Sequence, residues 1–384
     1  MLTFLSFLAL AAWLWLAFFN GGFWRASERL TDAPAPPQWP EIVAVIPARN
    51  EAETIGDVIG AHMSSDYPGR FSIILADDGS SDSTAEIASA AAGTSRHDFD
   101  ALAVPPLPDG WSGKLWAVHN GLARAKNTSP DAQYIFLTDA DIKPAPDTLT
   151  RLVAKAEHEN LALASLMAKL DAKGPWASFL IPAFIYFFQK LYPFPRANDP
   201  DDNLAAAAGG CLLVRKDAIE SIGGVETIKG ALIDDCALAK AIKNITPSTR
   251  IWLGLAQTEA VSLRDNRELS SIWNMVARTA YAQLHHSPVL LAGAVLGMML
   301  VYLAAPLIIL TVFYHWNFGA LLMAGLACAI MAFTYWPTLR FYDRAPWETA
   351  LLPVSGALYA AMTVSSAVRH WRGEGGKWKG RTYS

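Results

Sequence analysis

The stretch whose reading decides the fold is "IFLTDADIKPAPDTL", residues 135–149. An apolar run, Ile135-Phe136-Leu137, ends in two acids one residue apart, Asp139 and Asp141. On a strand, residues i and i+2 share a face. Strand geometry therefore predicts that both carboxylates project together from the strand's carboxyl end. Like charges side by side repel unless a cation sits between them. Taken alone, the stretch reads either as a divalent-metal site or as a polar turn after a buried strand.

Outward from it, the same plan repeats. "EIVAVIPARNEAETIGDVIGAHM" predicts a strand over 42–46, a turn and a helix with apolar spacing through Ile55, Val58 and Ile59. "FSIILADDGSSDSTAEIASAAA" predicts a strand over 71–75, an acidic turn and a helix capped around Ser81 to Ser83. In the third unit Asp147 and Thr148 open the helix. Strands alternating with helices define an α/β fold, a mostly parallel sheet covered on both faces. Ligands of such sheets bind outside the carboxyl ends of the strands. The polar clusters Pro47-Ala48-Arg49-Asn50-Glu51, Asp77-Asp78 and Asp139/Asp141 are thus expected to meet at one edge. No G-x-G-x-x-G follows the first strand, and the "SGKL" around Lys114 lacks the rest of a Walker A loop. What remains is a nucleotide held by carboxylates plus a metal.

The whole chain has 384 residues, 52% hydrophobic and 17% charged, with a net charge of -4. That composition leans away from an ordinary soluble protein, and the mild charge implies no surface for nucleic acid. Cys211, Cys236 and Cys328 have no ligand-like spacing and read as buried small hydrophobes in a reducing compartment. Residues 2–19 carry no charge and are nearly long enough to span a bilayer. With Arg25 and Arg29 behind them, they predict an uncleaved anchor (1–22) whose carboxyl end faces the cytoplasm. A linker (23–40) holding the stiff "PAPPQWP" follows.

Three further membrane candidates, about 288–314, 318–336 and 349–368, make a carboxyl-terminal membrane region of 285–368. They hold almost no ionisable residues, which argues against a transporter. The segment 175–194, with prolines at 175, 182 and 193, reads as a helix in the interface that lines the approach of a lipid acceptor. His285 and His286 read as interfacial residues, and Trp111 and Trp116 as packing for the loop around Lys114. The tail 369–384 is basic, and the positive-inside rule wants it in the cytoplasm. That requires an even number of crossings after Arg278, with Pro306 or Pro353 as the break in a non-spanning segment.

The motifs "VIPARNE", "LADDGSSDST", "SGKLWAVHNGL", "TDAD" and "IDDCALA", in that order over 45–239, resemble the family 2 inverting glycosyltransferases of GT-A fold. "SLMAKL", "AAAAGGCLLVR", "GALIDDCALA" and "MVARTAYAQLHHSP" look like the hopene-associated membrane-bound branch, itself similar to ceramide glucosyltransferases. The resemblance implies a catalytic domain over 41–284, a nucleotide-sugar donor (a UDP-sugar), a membrane lipid acceptor and Mg²⁺ or Mn²⁺ as cofactor. Pro47, Ala48, Arg49, Glu51 and Asp78 would hold the nucleoside, and Lys114 would lie near the diphosphate or sugar. Asp139 and Asp141 would be the metal-binding D-x-D pair. Asp235 would be the catalytic base, with Asp234 beside it. Where many membrane relatives carry Q-x-x-R-W, this chain has "NMVARTAY", which leaves Arg278 as a candidate diphosphate contact or a structural arginine. The expected location is the bacterial inner membrane, multi-pass, with the catalytic domain cytoplasmic. Two other readings stay open: transfer to a polyprenyl phosphate, and a non-catalytic nucleotide-sugar-binding scaffold.

Overall fold

In a computed structural model of the chain, which describes residues 1–375, two compact units form. One comprises residues 28–171 and 196–264, the other residues 1–27, 172–195 and the chain from 265 onward.

The first unit is built on a seven-stranded sheet: β1 (Ile42–Ala48), β2 (Phe71–Asp77), β3 (Asp98–Ala103), β4 (Tyr134–Thr138), β6 (Leu163–Met167), β7 (Cys211–Arg215) and β8 (Ile251–Leu255). A separate short ribbon pairs β5 (Ile142–Pro144) with β9 (Ala260–Ser262). The sheet order is β3-β2-β1-β4-β7-β6-β8, and every neighbouring pair is parallel except the two that involve β7. Strand alternation sorts the apolar residues onto two faces. Ile42, Ala44, Ile46 and Phe136 join one core, while Val43, Val45, Ile135 and Leu137 join the other. Both faces are covered, as expected for parallel strands joined through helices. The Gly113–Thr128 helix packs so closely on β1 that a Cβ on Gly121 would lie 2.4 Å from Val45 Cγ1. The expected strands over 42–46 and 71–75 each run two residues further.

The catalytic boundaries expected at 41 and 284 differ from these units. Residues before the first strand already belong to the sheet unit, because Leu255 N donates to Glu28 O (2.9 Å) and Arg29 bridges to Leu255. The Leu269–Gln283 helix belongs to the other unit, where Trp273 Nε1 donates to Ser365 Oγ (3.0 Å) and Tyr281 N to Ser366 Oγ (3.0 Å). Its apolar face, Ile272, Val276 and Tyr281, is buried.

Among the described residues of the second unit four helices are long and apolar enough to cross a membrane: Leu2–Phe19, Pro288–Leu310, Phe318–Phe341 and Pro346–Trp371. The Pro175–Leu191 helix runs through Pro182 and is too short to count among them. Pro306 does not divide its segment. Met299–Ala304 is π-helical, so the Val301 carbonyl would look to residue 306 for a donor, and proline has none. The indole of fully buried Trp13 donates to Val301 O instead, at 2.7 Å. Pro353 falls in the first turn of the Leu352–Trp371 helix, where a missing donor costs nothing. Neither proline therefore interrupts a helix. The last helix also takes in residues 369–371 of the expected tail, and residues 376–384 lie outside those described.

Candidate active site

The polar strand ends do meet, and hydrogen bonds between loops hold them. Asn50 takes a left-handed φ of 51° after β1. Its backbone N–H and side-chain oxygen bond Ser80 Oγ and Ser81 N (3.0 and 2.8 Å). Glu51 N donates to Thr84 Oγ1 (2.9 Å), and Thr54 Oγ1 reaches Ala140 O (3.0 Å). These bonds join the ends of β1, β2 and β4 into one rim. On it Asp78 is buried beside Arg49, whose guanidinium donates to the Asp78 carbonyl and lies 3.7 Å from the Asp78 carboxylate. Pro47 and Ala48 finish β1 as buried strand residues.

The acids of the 135–149 stretch do not sit as strand alternation predicts. β4 ends at Thr138, and Asp139 and Asp141 lie on the turn that follows. Each acid is held by a different cation. The Lys114 ammonium lies 2.9 Å from Asp139 Oδ1 and 3.2 Å from Asp234 Oδ2. Asp141 is buried; Arg264 Nε approaches its Oδ2 at 3.3 Å, and Ser262 Oγ donates to the same oxygen at 3.4 Å. The β5–β9 ribbon causes this: its register pairs Ile142 with Ser262, and Leu263 N then bonds Asp141 O at 2.7 Å. Burial raises the Asp141 carboxyl's pKa, Arg264 opposes that, and Asp139 adds to it.

Across the cleft, Asp234 and Asp235 open the Asp234–Lys243 helix. Gly209 N donates to Asp235 Oδ2 (2.9 Å) and Cys236 N to Oδ1 (2.7 Å). Burial and the neighbouring Asp234 charge push the Asp235 pKa up to about 6, against the pull of Lys114 and the two N–H donors. For Lys114, burial works to lower the pKa, but Asp139, Asp234 and Asp235 outweigh it and raise it, so the ammonium stays charged. The far end of the helix is tied down as well. Lys243 Nζ donates to the carbonyls of Ala197, Asp199 and Leu204 at 2.8, 2.7 and 2.6 Å. Pro47, Lys114, Asp139, Gly209, Asp234 and Asp235 thus face one cleft.

Residues 43–223 match the profile of the family described as Glycosyl transferase family 2. That part of the chain, just under half of it, is similar to glycosyl transferase family 2. A curated relative from Mesorhizobium japonicum, named N-acetylglucosaminyltransferase, is 28% identical over 197 residues, 50% of this chain and 43% of that protein. The chain therefore spans less than half the length of that relative. Among solved structures, a mannosyltransferase of Pyrobaculum calidifontis in complex with GDP-Man and Mn²⁺ is similar in fold, with a TM-score of 0.56 at 20% identity. That likeness covers 97% of this chain and 99% of the other. The sheet unit has the GT-A fold, a mostly parallel sheet flanked by helices, and several apolar helices accompany it in the chain.

The oxygen donors of the cleft suit a hard divalent cation. Among the described residues no three His, Cys, Asp or Glu groups converge as a metal cage. A hard divalent cation can be held by one or two carboxylates, with the remaining positions filled by a diphosphate and water. Asp139 is about a third exposed, and Asp141 is more enclosed, at 11%. Arg278 lies on the Leu269–Gln283 helix, outside the sheet unit. Trp111 and Trp116 pack on each other and on His119, with ring centroids 5.0–5.3 Å apart. His286 stacks on His370 at 4.1 Å. The three cysteines are free, with Cys211 and Cys236 buried and Cys328 partly so. Two site residues escaped the sequence reading, Arg264 and Gly209. Only the β5–β9 pairing brings Arg264 to Asp141, and no local motif announces it. The pair "GG" at 209–210 signalled close backbone approach but not its target.

Proposed function

We propose that the protein is a membrane-bound inverting glycosyltransferase that moves a sugar from a nucleotide-sugar, a UDP-sugar, to a lipid hydroxyl at the cytoplasmic face of a bacterial inner membrane. The hopene-like motifs point to a hopanoid or related polycyclic lipid as acceptor. The observation that carries the reading is Asp235: a carboxylate at a helix start, fixed by two backbone N–H groups, with its pKa pushed up to about 6. A base of that strength is matched to removing a proton from an attacking hydroxyl near neutral pH. A phosphate acceptor, already ionised, needs no such group, and a scaffold needs none either.

In this reading Arg49, Glu51 and Asp78 hold the nucleoside at the joined ends of β1 and β2, with Pro47 and Ala48 as the wall. Asp139, with Asp141 beside it, would hold a divalent ion, which would supply charge neutralisation for the leaving diphosphate. Lys114 adds a fixed positive charge at the same place. Asp235 accepts the acceptor's proton as the hydroxyl attacks the anomeric carbon opposite the leaving group, so configuration inverts. Asp234, through Lys114, keeps the ammonium placed between donor and base. Arg278 remains a candidate contact for the diphosphate.

The test pairs mass spectrometry of membrane lipids from a deletion strain with a donor screen of the purified protein. The screen includes UDP-N-acetylglucosamine, the donor suggested by the curated relative's name, and UDP-glucose. Loss of a glycosylated lipid on deletion, with its formation in vitro from one of these donors, is the expected result. Transfer only to a polyprenyl phosphate would replace the reading by that alternative.

A further inference from the structure

Asp139, Asp234 and Asp235 line the cleft, Asp141 lies on the same turn as Asp139, and among the described residues Lys114 and Arg264 reach these carboxylates. Resting on the nucleotide-sugar reading above, we propose that the Lys114 ammonium and the divalent ion are alternative occupants of the Asp139 carboxylate. The ion then enters only with a nucleoside diphosphate that draws the lysine away.

The geometry is specific. Lys114 Nζ bridges Asp139 and Asp234 at 2.9 and 3.2 Å, so it already lies where a cation serving Asp139 has to sit. An ammonium and a dication cannot both stand within bonding distance of one carboxylate without strong mutual repulsion. The lysine backbone cannot yield, because it is in the first turn of the Gly113–Thr128 helix, where Ser112 Oγ caps Leu115 N (3.3 Å). Its four-carbon stem can swing. A diphosphate offers the displaced ammonium anionic oxygens in place of Asp139. Arg264 plays the same part for Asp141, at 3.3 Å. Gly209 keeps the lysine's berth open, since a Cβ there would lie 3.1 Å from Nζ. Metal and donor are thus coupled through a side chain that neither has to touch beforehand. The order of binding follows: metal alone binds weakly, and metal with nucleotide binds tightly.

The experiment titrates Mn²⁺ into the full-length protein in detergent by calorimetry, with and without UDP, and again with GDP. Wild type is expected to bind Mn²⁺ at least about tenfold more weakly without the nucleotide. Lys114→Met should remove most of that difference by tightening metal binding in the nucleotide-free protein by about tenfold. Lys114→Arg keeps the charge and should keep the weak binding. If Lys114→Met fails to fold, Lys114→Gln and the rise in melting temperature on adding Mn²⁺ carry the same comparison. Nucleotide-free affinity in the uncharged variant no higher than in wild type, while wild type still binds metal with nucleotide, overturns the proposal and leaves the donor site standing. Wild type binding neither nucleotide nor metal overturns both.

Discussion

Asp235 combines two properties that are hard to have together: it is enclosed, and it is within reach of proton acceptance near pH 6. Asp235→Asn keeps the shape and removes the proposed base, so transfer should fall by about two or more orders of magnitude. Nucleotide binding, measured by calorimetry, should persist. The sign of the pH dependence follows from the upward shift. A base works when deprotonated, so in the proposed mechanism the transfer rate should rise with pH through about 6 in wild type and lose that limb in Asp235→Asn. Between 3.8 and about 6 the folded protein holds this proton longer than the unfolded chain does. The residue's contribution to stability therefore falls as pH rises through that window. Metal removal belongs at this scale too. Excess chelator should abolish transfer and Mg²⁺ or Mn²⁺ should restore it. Full activity of the chelated enzyme, or of Asp139→Ala with Asp141→Ala, would mean that Lys114 and Arg264 suffice as counter-cations.

At the scale of elements, what the sequence made legible was what local periodicity controls. Strands β1, β2 and β4 and the helix starts at Thr84 and Thr148 lie within two residues of their expected places. The D-x-D stretch was legible as acidic and as a strand end, but not in its geometry. The chain leaves the strand one residue before Asp139, and alternation stops with it. Arg264 was invisible for a different reason: the ribbon that carries it pairs segments remote in sequence. Pro306 shows the same limit. A proline in an apolar run reads as a break, yet here a π turn and a tryptophan from another helix absorb it. Trp13→Phe keeps the ring's bulk and deletes the donor, leaving the Val301 carbonyl unpaired. The expected cost is about 1–3 kcal/mol, read as a lower melting temperature in detergent, while nucleotide affinity stays unchanged.

For the whole molecule, the two units interleave along the chain. The sheet unit is interrupted by 172–195, which folds with the apolar helices, and resumes at 196 to supply β7 and β8. Expression of 28–264 as a fragment should therefore give a protein that needs detergent, because the Pro175–Leu191 helix comes with it. Its Leu180, Ile181 and Tyr186 are buried in the intact chain. Replacing 172–195 by a short Gly/Ser linker should yield a fragment that is monodisperse without detergent and still binds a nucleoside diphosphate. Aggregation of that fragment would show that the sheet needs the apolar unit to fold.

The same interleaving has a consequence for biogenesis. A nascent chain passes 171 with β1 to β4 already synthesised, yet the strand that must pair with β4 is β7, and it emerges only after the apolar 175–191 segment. The edge of β4 stays unpaired while hydrophobic chain leaves the ribosome, which makes the interval a window for misfolding. In the membrane-bound reading proposed above, a ribosome docked at the membrane by the Leu2–Phe19 helix would shorten that exposure, since the apolar segment would be delivered at the bilayer surface. Moving that helix to the other end of the gene should lower the yield of folded enzyme even where every contact of the finished protein can still form.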